Sequence, residues 1–596
     1  MFKGHPKGLY VAFFANMGER FGFYTMMACL VFFLQAKFGL TADEAGGHYS
    51  NFYFAIYALA LIGGIIADKT KKYKGVIFAG ILIMLGGYIM MATPGLSLTI
   101  TLVALYVIAF GNGLFKGNLQ AIVGQLYDDP KYSKLRDSAF SIFYMGINMG
   151  ALIAPHAANG VRNWLLKTHG YSYDADLPAL CHQMIDGKLA DVSVFQGLAD
   201  KVTGGHVENL SAFAKDYLDV FSTGYNYAFG IAAVSMVISL VVYVIFQKML
   251  PGGTAKAEAK VTEKKEEKVP NKPIYTVIAL AIGVVVGYGI TFFENFDLYA
   301  GLAIGLFASF VSWIYLSSTK EEKPNVTTLL LVFGVVIFFW MSFHQNGLTL
   351  SFFARDYTAK EVGAFTYLFF DFWGMIALLG GIISLSVVFG KSSSKKSKTI
   401  AGAIAAVAAI AAYFRFTSVP SSNPIEPEIF QSFNPIFIVI LTPIVLGLFA
   451  WLSSKKKEPS TPKKIGIGMV LAAVGFMVMV WGSLSLISPA DLGGAPSPNR
   501  VSPYWLIDTY LILTFAELFL SPMGISFVSK VSPVRFQGVM QGGWLLATAV
   551  GNKLLFVGSL MWGKIEIWQV WSIFIVCCLV SAAFIFAIMK KLEKVS

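Results

Sequence analysis

Residues 251–273 read PGGTAKAEAKVTEKKEEKVPNKP. Lys and Glu crowd a stretch with Pro at both ends, Gly at its start and no Ile, Leu, Met or aromatic residue. No core can form there, so it reads as a charged linker, at most partly helical. Outward from it the chain changes character. Six apolar blocks precede it, near 10–36, 48–67, 75–92, 97–127, 138–159 and 219–248. Ten follow, near 274–292, 297–318, 326–353, 363–390, 399–416, 430–452, 465–489, 504–530, 537–561 and 567–590. Each approaches or exceeds the roughly 20 residues a helix needs to cross a bilayer.

Composition agrees. Of 596 residues, 56% are hydrophobic and 13% charged, and mean hydropathy is +0.65. A soluble domain runs near a quarter charged, which excludes a string of soluble domains. The net charge of +12, from 46 Lys and Arg against 34 Asp and Glu, needs no nucleic acid, because cytoplasmic loops of multi-span proteins collect Lys and Arg. Cys29, Cys577 and Cys578 lie in apolar blocks and Cys181 stands apart, so no disulfide framework or metal spacing is visible. The first block carries Glu19 and Arg20, unlike a signal-peptide core, and is expected to be a retained span.

Orientation follows loop by loop. With Lys3 and Lys7 in the cytoplasm, the inside loops are 68–74, 128–137, 249–273, 319–325, 391–398, 453–464, 531–536 and the tail, and they hold most loop Lys and Arg. Outside loops such as 93–96, 293–296, 417–429 and 490–503 are nearly free of them. Both termini are therefore expected inside. Residues 160–218 form a long polar outside loop with room for short helices.

A charge at mid-span costs about 2.5–3.5 kcal/mol on insertion scales, so such residues are rare unless they face a polar cavity. Here they are Glu19, Arg20, Lys116, His344, Asp371, Glu517 and Lys553, joined by Asn16, Gln120, Asn148, Gln345, Asn434 and Asn552. Asn16, Glu19, Arg20, Phe23 and Met27 share a helix face. Adjacent residues do not face one another, so Glu19 and Arg20 are each expected to find a partner elsewhere. Lys116, in GNGLFKGN (111–118), should pair with Glu19 or with an anionic substrate group. Glu517 has no neighbouring base in sequence and is suited to hold a proton or a cation. His344 is a proton carrier or a neutral donor. For Asp371 and Lys553 a bundle-facing hydrogen bond is expected, and for Asp68 a cap or a pairing with the next helix.

Five stretches in order resemble the proton-dependent oligopeptide transporters: NMGERFGFY (16–24), GGIIADKTKKYKG (63–75), FYMGINMGALIAP (143–155), FNPIFI (433–438) and AELFLSPMGISFVSKVSPVRFQGVMQGGWLLATAVGN (516–552). The resemblance spans the core and fails in the extra helices and loops. It implies an all-α polytopic membrane protein of the major-facilitator fold, two six-helix bundles related by an axis along the membrane normal. Residues 1–250 make the N-terminal bundle and 319–596 the C-terminal one. Four helices are extra, the pairs 274–318 and about 363–416, poor in charge and expected at the lipid-facing periphery.

The resemblance further implies import of di- and tripeptides by proton symport, with the proton as co-transported ion and no cofactor or metal. Lys116 is similar to a lysine near the peptide carboxylate. Tyr24 and Tyr57 resemble pocket tyrosines, Trp544 a pocket-wall tryptophan, and Asn148, Asn434 and Glu517 the cluster around the peptide amino group. Glu19, Arg20, His344 and Glu517 are the expected proton-coupling set. Three positions depart from the family: Asn16 where it has a glutamate, Met27 where many members have a base, and His344 where it usually has an acid. Partners are expected to be small peptides and the lipid of a cell membrane (the inner one in a Gram-negative bacterium), with no nucleic acid and no obligate protein partner. The competing readings are a same-fold carrier of another small zwitterion or organic anion and a non-transporting sensor or scaffold. No Ser–His–Asp set, metal spacing or phosphate loop points to an enzyme.

Overall fold

The computed structural model describes residues 4–251, 273–293, 296–390 and 394–594. Residues 252–272, and with them nearly all of the expected linker, lie outside the described residues, as does Lys3. Among the described residues, sixteen helices are long and apolar enough to cross a membrane, and the chain is an integral membrane protein.

The first six are α1 (Gly8–Phe38), α2 (Ala42–Thr70), α3 (Tyr73–Ala92), α4 (Leu98–Gln125), α5 (Arg136–Thr168) and α6 (Leu210–Phe246). The inserted α7 (Pro273–Ile290) and α8 (Leu298–Ser317) precede α9 (Lys323–Phe343). A second inserted pair, α10 (Phe372–Phe389) and α11 (Lys395–Ser418), comes next. Then follow α12 (Phe433–Ser454), α13 (Thr461–Ser483), α14 (Tyr504–Val531), α15 (Gln537–Lys553) and α16 (Ile567–Ala587).

Local chemistry sets the ends. Gly39 closes α1 at φ +66° with its N–H on the Gln35 carbonyl, and Thr41 opens α2 through a capping box with Glu44. Within the N-terminal bundle α1 packs on α5 and α6, and α4 on α2 and α3; in the other bundle α13 packs on α14 and α16. The bundles meet where α2 faces α15 and α5 faces α12. A small sheet pairs Glu361–Val362 with Asn423–Pro424.

Boundaries moved in three places. The polar loop expected over 160–218 is shorter, because α5 runs on to Thr168 and α6 starts at Leu210; helices Leu177–Ile185 and Val192–Thr203 fill much of the remainder. The block at 363–390 becomes a helix only from Phe372, with Asp371 as its N-cap. His344, expected mid-helix, lies in a single 3-10 turn, His344–Gly347, before a short helix Thr349–Asp356. A Cβ on Gly347 would stand 2.2 Å from the Tyr49 hydroxyl, so that close approach of α2 requires glycine.

The termini share one end of the molecule, the near end. The polar ties between bundles cluster at the opposite, far end. Lys360 reaches Asp174 (3.0 Å) and Asp176 (2.6 Å), and Arg500 also grips Asp176 at 3.0 Å. Lys564 faces Asp43 at 3.7 Å, and Arg162 bridges Glu426 and Glu428. None of these ties lies at the near end.

The inserted pairs differ. In α7 and α8, Gly283 and Gly287 meet Gly305 and Gly301 so closely that added Cβ atoms would stand 2.5 and 2.6 Å from facing carbonyls. Contrary to a purely peripheral placement, α8 packs on α15 and α9. Tyr299 stacks on Tyr106 of α4 at 6.2 Å and 5°. Asp297 pairs with buried Lys553 at 3.0 Å, and Lys553 also donates to Asn51 of α2 at 2.6 Å. The second pair is largely exposed, and Arg415 of α11 clasps Asp371 at 2.7 Å.

Candidate functional site

On the N-terminal side the first-helix face is buried, with Glu19 0% and Arg20 4% exposed. The expectation that each finds a partner elsewhere is corrected: Arg20 donates to both Glu19 oxygens at 2.6 Å. Neighbouring positions diverge on a helix, but a guanidinium on a long stem folds back, and burial leaves an unpaired charge too costly to keep. Glu19 also accepts from Asn112 at 2.6 Å, and Arg20 lies over the Phe23 ring at 4.6 Å. Asn16 is 4% exposed and its amide nitrogen has no partner among the described residues.

With Glu19 so engaged, the pairing expected between it and Lys116 does not form. Among the described residues Lys116 makes no ion pair; its ammonium lies over the Tyr57 ring at 4.4 Å. The surrounding glycines make this possible. A Cβ on Gly63 would stand 2.0 Å from the Gly113 carbonyl oxygen, and one on Gly113 would stand 2.6 Å from that of Leu59, so α2 and α4 touch backbone to backbone. An aromatic row continues from there: Tyr57 to Tyr53 at 5.9 Å, and Tyr53 to His344 at 4.7 Å. Tyr24 is half-buried, edge-on to Phe23 at 5.2 Å.

Across the seam, half-buried Glu517 of α14 accepts from Asn434 at 3.1 Å, and Asn434 also donates to Thr514 at 3.0 Å. Asn148, expected with them, instead donates to the Tyr144 carbonyl of its own helix at 3.2 Å. Trp544 is 4% exposed and lies flat on α14, where a Gly524 Cβ would meet its ring at 1.9 Å. His344 donates from Nδ1 to the Asn552 amide oxygen at 2.5 Å and stacks on Trp340 at 4.7 Å. Two buried donors at this cluster, Trp340 Nε1 and Asn552 Nδ2, have no partner among the described residues.

Lys553 and Asp371, for which a bundle-facing hydrogen bond was expected, are ion-paired. Burial alone would raise the Asp371 carboxyl, but the Arg415 guanidinium and the Gly374 N–H outweigh it and hold it below the ordinary range. Asp68 accepts from Tyr73, as a pairing with the next helix requires. Arg162, Glu426 and Glu428 escaped the sequence reading, because Arg162 fell in the supposed loop. The signal was available: His156, Asn159 and Asn163 continue one face of α5 at three- and four-residue steps, with Arg162 beside it.

The arrangement offers a cation without a counter-ion on one bundle and an amide-held carboxylate on the other. A solute with a negative and a positive pole would satisfy both.

Comparison with known proteins places this geometry. A family model described as POT family matches residues 74–368 and 417–565. The match runs through α7 and α8 and leaves out nearly all of α10 and α11, so of the two inserted pairs the first lies within the matched residues and the second outside them. The chain is 26% identical to a peptide transporter of Yersinia enterocolitica over 557 residues, covering 92% of this chain and 87% of that one. It is equally 26% identical to a di-/tripeptide transporter of Lactococcus lactis subsp. cremoris over 569 residues, covering 93% and 89%. A crystal structure of a peptide transporter POT in complex with sulfate shares the fold at TM-score 0.65 and 23% identity, covering 100% of this chain and 96% of that one.

Proposed function

This chain belongs to the POT family, and from that premise we propose that it imports di- and tripeptides across the cell membrane by proton symport. Its near end, with both termini, faces the cytoplasm, as the Lys and Arg of its loops favour. The observation that carries the reading is the division of charge across the seam. Lys116 stands without a counter-ion on the N-terminal bundle, and Glu517, held by Asn434, stands on the other. A peptide's carboxylate takes the first and its ammonium the second, so binding draws the bundles together while the side chains lie against apolar and aromatic wall. The far-end ties belong to a state closed toward the outside, and alternating access requires them to break.

Coupling in this chain does not use Asn16, which carries no proton near neutrality. Glu19, Arg20, His344 and Glu517 remain the set through which a proton acts, with no cofactor. One charge moved through ~150 mV supports a solute gradient of order 300-fold.

The test is uptake of labelled dialanine into liposomes holding the pure protein, under an inward proton gradient that is then collapsed, with Lys116→Ala as control. Accumulation that vanishes on collapse is expected. Equilibration without accumulation makes the protein an uncoupled peptide carrier. No uptake refutes peptide transport and leaves another zwitterion or an organic anion as the solute.

A further inference from the structure

At the far end, Arg162 of α5 is wholly buried between two carboxylates. Its Nη2 is 2.8 Å from Glu426 and its Nη1 bonds Glu428, whose side chain is also wholly buried. Two potential negative charges thus share one positive charge in a dry place. The other groups facing the cluster do not balance it. They are Asn159 and Asn163 of α5, Tyr225 of α6, Tyr173 with its ring 4.0 Å from the guanidinium, Cys29 of α1 and Tyr367. Nearby Asp174 and Asp176 are matched by Lys360 and Arg500, and Arg355 by Asp356.

The four carboxylate oxygens are served unequally. Glu426 Oε2 takes Arg162 and its Oε1 takes Asn163. Glu428 Oε1 takes both Arg162 and the Tyr225 hydroxyl, the latter at 2.7 Å. Glu428 Oε2 has only the Asn159 amide at 3.4 Å. Charge-assisted N–H···O bonds run about 2.7–2.9 Å, so that distance is not what a buried carboxylate oxygen draws. Asn159 is 4% exposed, and its own amide oxygen has no partner among the described residues. An asparagine serves such an oxygen from either end: its nitrogen donates to a bare one, its oxygen accepts from a protonated one.

We propose that Glu426 and Glu428 together bind one proton when the far ends of the bundles close, held at Glu428 Oε2 beside Asn159, and release it when those ends part. Closure brings both carboxylates onto Arg162 and out of water. A lone excess charge there is costly, and two carboxylates sharing a site resolve it by retaining a proton. Burial pushes the Glu426 carboxyl up in the same direction. Once the bundles separate, water solvates the pair, and Glu426 returns toward the ordinary glutamate value of about 4.3. The closed far end therefore holds one proton more than the open one. It is favoured by acid and lost as pH rises toward the raised value of the closed pair. This rests on the proposed alternating access, but not on which solute is carried.

The test is a distance measurement by paired spin labels at exposed far-end positions, Val192→Cys and Ser421→Cys, in the full chain in lipid nanodiscs with the native cysteines replaced. Between the two limits, the closed-to-open ratio should fall about ten-fold per pH unit, the slope for one proton. Glu428→Gln leaves one carboxylate for one guanidinium and should stay closed with no pH slope. Glu426→Gln, at the more exposed partner, should do the same and serves if the first variant does not fold. A slope in the Gln variants equal to that of the parent overturns the proposal. So does a far end that stays closed at every pH in the parent. Dialanine uptake in parallel liposomes separates these outcomes from a failure of the peptide reading, because it reports the solute and not the latch.

Discussion

Replacing Lys116 with Gln removes the ammonium and keeps a polar side chain of similar reach. The structure sets the size of the effect. The ammonium has no counter-ion among the described residues and is only half-buried, over the Tyr57 ring at 4.4 Å. Losing one partner of a hydrogen-bonded charge pair in a desolvated site costs about 2–5 kcal/mol, and half-burial puts this pair toward the lower part of that range. A loss of about 2–3 kcal/mol is about 30- to 150-fold in affinity. Folding should barely notice, because a cation–π contact is worth about 0.5–2 kcal/mol and the variant is relieved of desolvating a charge. The assay is calorimetric titration with dialanine and with its C-terminal amide, which lacks the carboxylate. In the parent the free acid should bind tighter than the amide by the stated factor. In Lys116→Gln the two should bind alike, with the melting temperature held. If the variant weakens acid and amide equally, Lys116 does not receive the carboxylate.

Three further outcomes are expected. Gly63→Ala should destabilise by about 1–3 kcal/mol through overpacking, because its Cβ would stand 2.0 Å from a backbone oxygen of α4. Gly64→Ala, with open space around it, should not; thermal melts of the pair decide. Asp371 is held below the ordinary carboxylate range by Arg415, so its contribution is present above about pH 4 and is lost as pH falls through the depressed value. Hydrogen exchange should show the start of α10 loosening in acid, and loosened at every pH in Asp371→Asn, with peptide uptake intact. His344→Ala should abolish pH-driven uptake while sparing counterflow exchange, and unchanged pH-driven uptake would remove His344 from the coupling set.

The helices were legible because a bilayer demands long apolar runs and tolerates few interruptions. Their ends were not: α5 continues past the apolar block, and its last turns carry Arg162 on a helix where composition alone suggests a loop. The unusual residues of the site were visible as charges in apolar surroundings, but not their partners. The rule that successive helix positions diverge describes Cβ directions, and Arg20 evades it by the length of its stem. His344 looked mid-helix because no Pro marks the break, while Gly347, which permits it, is one glycine among 57. Lys116 is the opposite case, since Gly113, three residues before it, is the glycine of α4 that brings α2 beneath it.

The first inserted pair is fastened unevenly across the seam. Asp297 holds it to Lys553 of the C-terminal bundle by a charge pair, whereas Tyr299 meets Tyr106 of the N-terminal bundle by ring stacking and a neutral hydroxyl contact. Lys553 also donates to Asn51 across the seam. When the bundles part, the stacked rings and the amide bond are the joints that slip, and the charge pair is the one that holds. The pair then behaves as a splint bolted to one half and clipped to the other. It travels with the C-terminal bundle and sets the force at which the clip releases.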